Sequence, residues 1–247
     1  NFHPINDRIV GFKERNFSLK YCLGEMGWYL TGDRNDTRIE HYSKFWLKVK
    51  NDKTPFYNSN YGYYLIEEGQ LNYVLNTLRK DKDSRQAVII LCRANIMMSD
   101  TKDKICTYAI FFRIRESKLN MSISMRSSDL VLGLTIDVMQ FSIIYELVFH
   151  ILKETYSDLE IGSYVHKSDS LHLYKRHFDM LDAICSSTKE TYQTYNVPMI
   201  NGIRETNEIL NNFSRYEVLV REEGIIFEEY LKLNEYNFIL WALNNLK

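Results

Sequence analysis

The chain has 247 residues, 45% of them apolar, with 31 basic side chains against 32 acidic ones for a formal charge of −1. That is ample apolar material for a sizeable core, and the near-zero charge excludes an electrostatic nucleic-acid binder, which needs a basic face. No run of 18 consecutive apolar residues occurs, so no membrane partner is expected.

In chain order, "LKYCLGEMGWYLTGD" carries apolar residues at helical spacing and stops at Gly32, which predicts a helix over 18–31. Residues 35–65 read as loops with short helices, and "GQLNYVLNTLRKDKDS" as an amphipathic helix ending near Lys80. "RQAVIILCR" reads as a buried strand, and "CTYAIFFRIRESKLNMSISMRS" as two alternating strands turned at Glu116–Lys118. Residues 137–153 form a long apolar helix suited to the centre of the fold. "IGSYVHKSDSLHLYKRHFDMLDAI" reads as strand, polar turn and helix, and helical patterns recur near 204–213 and 226–245. The expectation is one α/β (α+β) domain over 1–247, with a divergent C-terminal segment from about 187.

The four cysteines, Cys22, Cys92, Cys106 and Cys185, form no CxxC pair and none has a histidine at zinc-ligand spacing. Free thiols in a reducing, cytoplasmic setting and no metal are therefore expected, and the N-terminus shows no leader pattern. Cys22 sits in a helical apolar stripe and Cys92 inside the predicted strand; both read as core side chains. Cys106 differs, because it opens a strand after the charged loop "SDTKDK" and leads toward Arg126, whose charge would lower a thiol pKa. In "HLYKRH", His172 and His177 are badly spaced for a shared metal, whereas His172 and Tyr174 share one face of an extended segment.

With these residues in view, the chain resembles the thymidylate synthase family, and within it the pyrimidine hydroxymethylases. Cys106 precedes the Arg126 of "RSSD" by twenty residues, "DLVLGL" follows, and "HLY" comes later. Upstream, "GEMGWYLTGD", "NSNYG" and "DSR" stand where that family has its glutamate helix, its tyrosine loop and the turn before its arginine strand. The resemblance implies mixed β-sheets packed back to back in a homodimer with a shared active site. It implies that the Cys106 thiolate adds to C6 of a pyrimidine nucleoside monophosphate, so that C5 attacks the one-carbon unit of 5,10-methylenetetrahydrofolate. Arg126 and Ser127 would grip the 5′-phosphate, and Arg85 would be lent to it by the partner subunit. His172 and Tyr174 would hold the sugar, while Glu25 and Tyr61 would organise proton transfer. Asp129 would face the folate pterin and Trp46 would wall its site.

Eight residues after Asp129, where synthases carry an asparagine that reads uracil, this chain has Asp137. A carboxyl group accepts from the cytosine amino group and, when protonated, donates to N3. Asp137 is also well suited to cap a helix beginning there. The implied reaction is folate-dependent C5 hydroxymethylation of dCMP or CMP. C5 methylation of dUMP or dCMP and a non-catalytic nucleotide-binding relative are the alternatives. Three departures stand out. The family's upstream phosphate loop would fall before Asn1, so either it lies outside this sequence or Arg8 or Lys13 substitutes for it. Its second cross-subunit arginine is Gln86 here, and the last sixty or so residues do not resemble the synthase tail.

Overall fold

The computed structural model describes residues 5, 8, 9, 11–51, 53–187, 195–224 and 235–247. Ser18 caps the first helix, α1 (Leu19–Tyr29), its side chain accepting from the Tyr21 N–H at 3.2 Å. Two further segments follow before the sheet, α2 (Phe45–Val49) and the amphipathic α3 (Gln70–Lys80). Gly62 lies between them because nothing larger fits: a Cβ there would sit 1.9 Å from the Tyr29 carbonyl oxygen.

The strand expected over residues 85–93 shrinks to β1 (Val88–Ile90), followed by the short helix α4 (Ala94–Met98). The ladder ends early because the Leu91 and Cys92 N–H groups both donate to the Tyr108 carbonyl, next to a bulge in the neighbouring strand. Cys92 therefore lies beyond the strand rather than inside it. The hairpin forms as expected from β2 (Thr107–Arg115) and β3 (Lys118–Asp129). Its two-residue turn has Glu116 and Ser117 at φ 51° and 52°, the left-handed pair that matches strand twist.

The helix predicted from 137 begins four residues earlier, as α5 (Gly133–Lys153). Asp129 ties the turn before the helix: its Oδ1 accepts from the Val131 N–H at 3.1 Å and the Leu132 N–H at 2.5 Å. Arg15 holds the same turn, donating to the carbonyls of Val131 and Leu132 at 2.7 and 2.9 Å. Asp137 thus stands in the second turn and is not a helix cap. β4 (Glu160–His172) pairs parallel with β3, completing a sheet of order β1-β2-β3-β4 that is otherwise antiparallel. After α6 (Phe178–Ser186) come α7 (Gly202–Glu223) and α8 (Asn237–Leu246). The part of the last predicted helix before residue 235 lies outside the described residues.

α5 organises the interior. Phe141, Tyr145, Val148 and Leu152 face the sheet, whereas Met139, Ile143 and Leu147 join α1, α7 and α8 in a second core. Both faces of this helix are thereby covered by protein, which accounts for its apolar composition. The C-terminal helices are also fixed by buried acids: Glu205 accepts from the Asn201 and Ile239 N–H groups, and Glu217 from Arg38, Tyr42 and Arg221.

Candidate active site

A cleft of about 440 Å³ opens between α1, the loop before β2, the end of β3 and the first turns of α5. Its chemistry centres on Cys106, which is held from behind by Arg126. The guanidinium donates to the carbonyls of Lys104 and Ile105, each at 2.9 Å, and lies 3.4 Å from the Cys106 sulfur. Of its five N–H donors, those on Nε and Nη2 are occupied, which leaves the Nη1 pair to grip an anion. Burial nevertheless pushes the Cys106 thiol up; Arg126 pulls it down, while Asp137 and Asp103 push it up again. The expectation that Arg126 lowers the thiol pKa is therefore corrected: the arginine acts in that direction, but desolvation and two carboxylates outweigh it.

On the opposite wall, Glu25 accepts from the Tyr21 hydroxyl at 2.9 Å, and Tyr21 in turn accepts from the Trp46 indole at 3.1 Å. Burial drives the Glu25 carboxyl up to about 8 and that of Asp137 to about 7. Both groups therefore hold a proton near neutrality and can donate as well as accept. Tyr61 stacks on Tyr29 at 5.4 Å, and its hydroxyl accepts from the Thr107 N–H at 3.4 Å, next to Cys106 in sequence.

At the far end, Ser127 Oγ and His172 Nδ1 lie 3.4 Å apart, and the rings of His172 and Tyr174 meet edge to face at 5.0 Å. Asp129 uses only Oδ1 in the turn before α5. Its Oδ2 is buried without a partner among the described residues, on a side chain that lines the cleft, a cost that a donor N–H would relieve.

Residues 7–220 match the protein-family model described as thymidylate synthase. The chain belongs to the thymidylate synthase family. A deoxyuridylate hydroxymethyltransferase of Bacillus phage SP01 is 27% identical over 248 residues, covering 92% of this chain and 62% of that protein. The deoxycytidylate 5-hydroxymethyltransferase of Enterobacteria phage T4 is 31% identical over 180 residues, covering 66% and 70% respectively. Among solved structures, a thermostable thymidylate synthase A from Bacillus subtilis superposes with a TM-score of 0.57 at 19% identity, over 68% of this chain and 62% of that one. The sheet and its flanking helices are those of the thymidylate synthase fold. The chain spans under two thirds of the length of the SP01 relative.

Set in this family frame, ten of the residues named from sequence line one cleft: Cys106, Glu25, Tyr61, Asp137, Arg126, Ser127, His172, Tyr174, Asp129 and Trp46. Arg85 does not. It lies in a separate cavity of about 280 Å³ with Arg113, Arg115 and Lys167. Neither stand-in for the upstream phosphate loop reaches the cleft. Arg8 is fully buried, donating to Glu146 at 2.6 Å, and Lys13 is absent from the lining. Sequence reasoning missed Tyr21, Ser59, Lys102, Asp103 and Lys104, all of which line the site. Tyr21 carried a signal, since it stands one helical turn before Glu25 on the same face of α1. Ser59 lay within the quoted "NSNYG", two residues before Tyr61, and Lys102, Asp103 and Lys104 carried no signal beyond proximity to Cys106. No cluster suited to a metal occurs among the described residues.

Proposed function

We propose that this chain hydroxymethylates C5 of a cytidine monophosphate, dCMP or CMP, with 5,10-methylenetetrahydrofolate as donor. The observation that carries the reading is Asp137, deep in the cleft, with its carboxyl at about 7. Protonated, it gives N3 of cytosine a hydrogen while its carbonyl oxygen accepts from the 4-amino group. A proton shared with N3 withdraws electrons from the ring and makes C6 more electrophilic toward Cys106. Uracil already carries hydrogen on N3 and has no lone pair there to accept one. The competing substrate, deoxyuridylate, is the one named for the SP01 relative. A protonated carboxyl can pair with it through O4 and N3–H, but it places no proton on N3 to activate C6. The ionised carboxylate accepts from the cytosine amino group while facing uracil O4 with no donor.

Protonation of Asp137 also removes one of the two carboxylate charges that oppose ionisation of Cys106. The reactive arrangement is therefore a neutral Asp137 with a Cys106 thiolate beside Arg126. Arg126 Nη1 and Ser127 hold the phosphate, and His172 with Tyr174 holds the sugar. Glu25, with Tyr21 behind it, exchanges protons with the base. Folate, when bound, supplies a one-carbon unit at the oxidation level of formaldehyde. The unpartnered Asp129 Oδ2 and the apolar wall of Phe45, Trp46 and Val49 fit a pterin with N–H donors.

The test is incubation with formaldehyde, tetrahydrofolate and dCMP, CMP or dUMP, with products read by mass. Addition of CH₂O to a cytidylate is expected; addition of CH₂ identifies methylation instead. Cys106→Ala is expected to abolish product, and a Cys106→Ala protein as active as wild type would sink the enzyme reading.

The active unit is proposed to be a homodimer. Ile90, Tyr108, Phe111 and Val165 are exposed, and the last three are carried by β2 and β4, the strands that flank β3. Arg85 shares a cavity with Phe111, so burying this face in a second copy places Arg85 at the interface. Phe111→Glu is expected to give a monomer by light scattering, with turnover reduced at least tenfold, as about 1.4 kcal/mol of lost nucleotide binding requires.

A further inference from the structure

The loop that carries the nucleophile is tied to the loop that carries Tyr61 by a side chain with no role in the reaction proposed above. Asp103 precedes Cys106 by three residues, is 6% exposed, and lines the same cleft. Its Oδ2 accepts from the Ser59 N–H at 3.1 Å and its Oδ1 from the Ser59 hydroxyl at 2.5 Å. Its carbonyl accepts from the Asn58 side-chain amide at 3.1 Å. On the far side of the cysteine, the Thr107 N–H donates to the Tyr61 hydroxyl at 3.4 Å. Ser59–Asp103 and Tyr61–Thr107 are thus two clasps between the same two loops, with Cys106 between them.

We infer that Asp103 is a positioning residue for the nucleophile, holding the tyrosine loop and the cysteine loop in register through Ser59 while presenting a negative charge to the Cys106 sulfur. A clasp alone needs only a neutral acceptor, and an asparagine or a backbone carbonyl would serve. Burying a carboxylate instead carries a desolvation cost, and desolvation does push the Asp103 carboxyl up. Its charge acts on the thiol together with the other groups around the cysteine. Arg126 on β3 favours the thiolate and Asp137 on α5 opposes it. Of the two lysines that flank Asp103 in sequence, Lys104 turns its Nζ away to the Met97 carbonyl at 2.7 Å, and Lys102 lines the cleft. Asp103 and Arg126 thus act on the thiol in opposite directions. The outcome is a nucleophile favoured as the thiol, with ionisation awaiting a change in the charges around it.

The inference rests on Cys106 being the nucleophile of the proposed reaction, but its test does not require turnover. Iodoacetamide alkylation of Cys106, followed by peptide mass mapping against Cys92 and Cys185, gives the pH profile of this thiol in the whole chain. Asp103→Asn keeps an acceptor for Ser59 and removes the charge. Its profile is expected to move to lower pH, with alkylation below the midpoint faster by up to about tenfold, one pKa unit. Ser59→Ala keeps the charge and loosens the clasp, so its midpoint is expected to stay while kcat falls and the nucleotide KM holds. A wild-type profile in Asp103→Asn, or an equal shift in Ser59→Ala, would overturn the inference. Asp103→Ser removes the same charge with a different shape and substitutes for the amide variant where that variant does not fold. Should the profile move as expected while no nucleotide is turned over by any form, the positioning role stands and the proposed reaction falls.

Discussion

Asp137→Asn is expected to raise the melting temperature at pH 8 and, in the same protein, to cut kcat/KM for cytidylate by about 10²-fold or more, the usual worth of a positioned proton donor. The sign of the stability change follows from proton uptake. Folding lifts the Asp137 carboxyl from its usual 3.8 to about 7, so the folded chain binds more protons than the unfolded one between those values. Folded stability carries no penalty from this group below pH 3.8, and loses ground as pH rises toward 7. The amide has no such penalty. Its advantage is therefore absent in acid, grows through this window, and is complete above 7. The shift corresponds to at most about 4 kcal/mol, reduced to roughly 1–3 because the side chain retains contact with cleft solvent. At about 2–4 °C per kcal/mol for a chain of this size, calorimetry should show a gain of several degrees at pH 8 and none at pH 3.5. The neighbouring Glu25, which Asp137 pushes up, is relieved in the same variant and adds to the gain. The relative rate with dUMP should rise. An unchanged base preference would remove Asp137 as the reader of the base, and a melting temperature that does not respond to pH would remove the buried acid as its cause.

This coupling of stability to chemistry also shows what could be read without coordinates. That Cys106, Arg126, the His172–Tyr174 pair and Glu25 share one cleft was legible because each sits in a short motif whose spacing survives as local structure. The hairpin around Glu116 and Ser117 and the helices over 19–29 and 70–80 were legible for the same reason, as local periodicity and turn chemistry. What escaped was set by partners distant in sequence. Asp137 looked like the residue at the start of α5, yet the helix begins at 133, after a turn that Arg15 holds from 116 residues away. The strand after Arg85 looked longer than it is, because the bulge that ends its ladder lies in another strand. Tyr21 joins Trp46 to Glu25 across 25 residues of sequence, and Asp103 reaches Ser59 across 44. Periodicity carries no information about such pairings. Arg8 is the sharpest case. As a lone basic residue upstream of the cleft it looked available for phosphate, whereas the fold turns it inward.

Removing the partner of that arginine is expected to have the largest effect on stability of any single change. Arg8 and Glu146 are both 0% exposed and meet at 2.6 Å, and the other Glu146 oxygen accepts from the Ile200 N–H at 2.8 Å. The carboxylate therefore joins the N-terminal segment, α5 and the start of the C-terminal helices at one buried point. Glu146→Ala leaves a guanidinium and a backbone N–H unpaired in the interior, a loss of about 3–5 kcal/mol. That corresponds to a melting temperature roughly 10 °C or more lower, measured by circular dichroism at pH 7. The double change Arg8→Met with Glu146→Leu removes both charges and fills the space, so most of the loss should return, since a buried ion pair costs desolvation that apolar packing avoids. The Ile200 N–H stays unpaired in that variant, which keeps recovery short of complete by about 1–3 kcal/mol. Equal melting temperatures for the single and double variants would mean that the hydrogen bond to Ile200, rather than the ion pair, secures the C-terminal helices to the core.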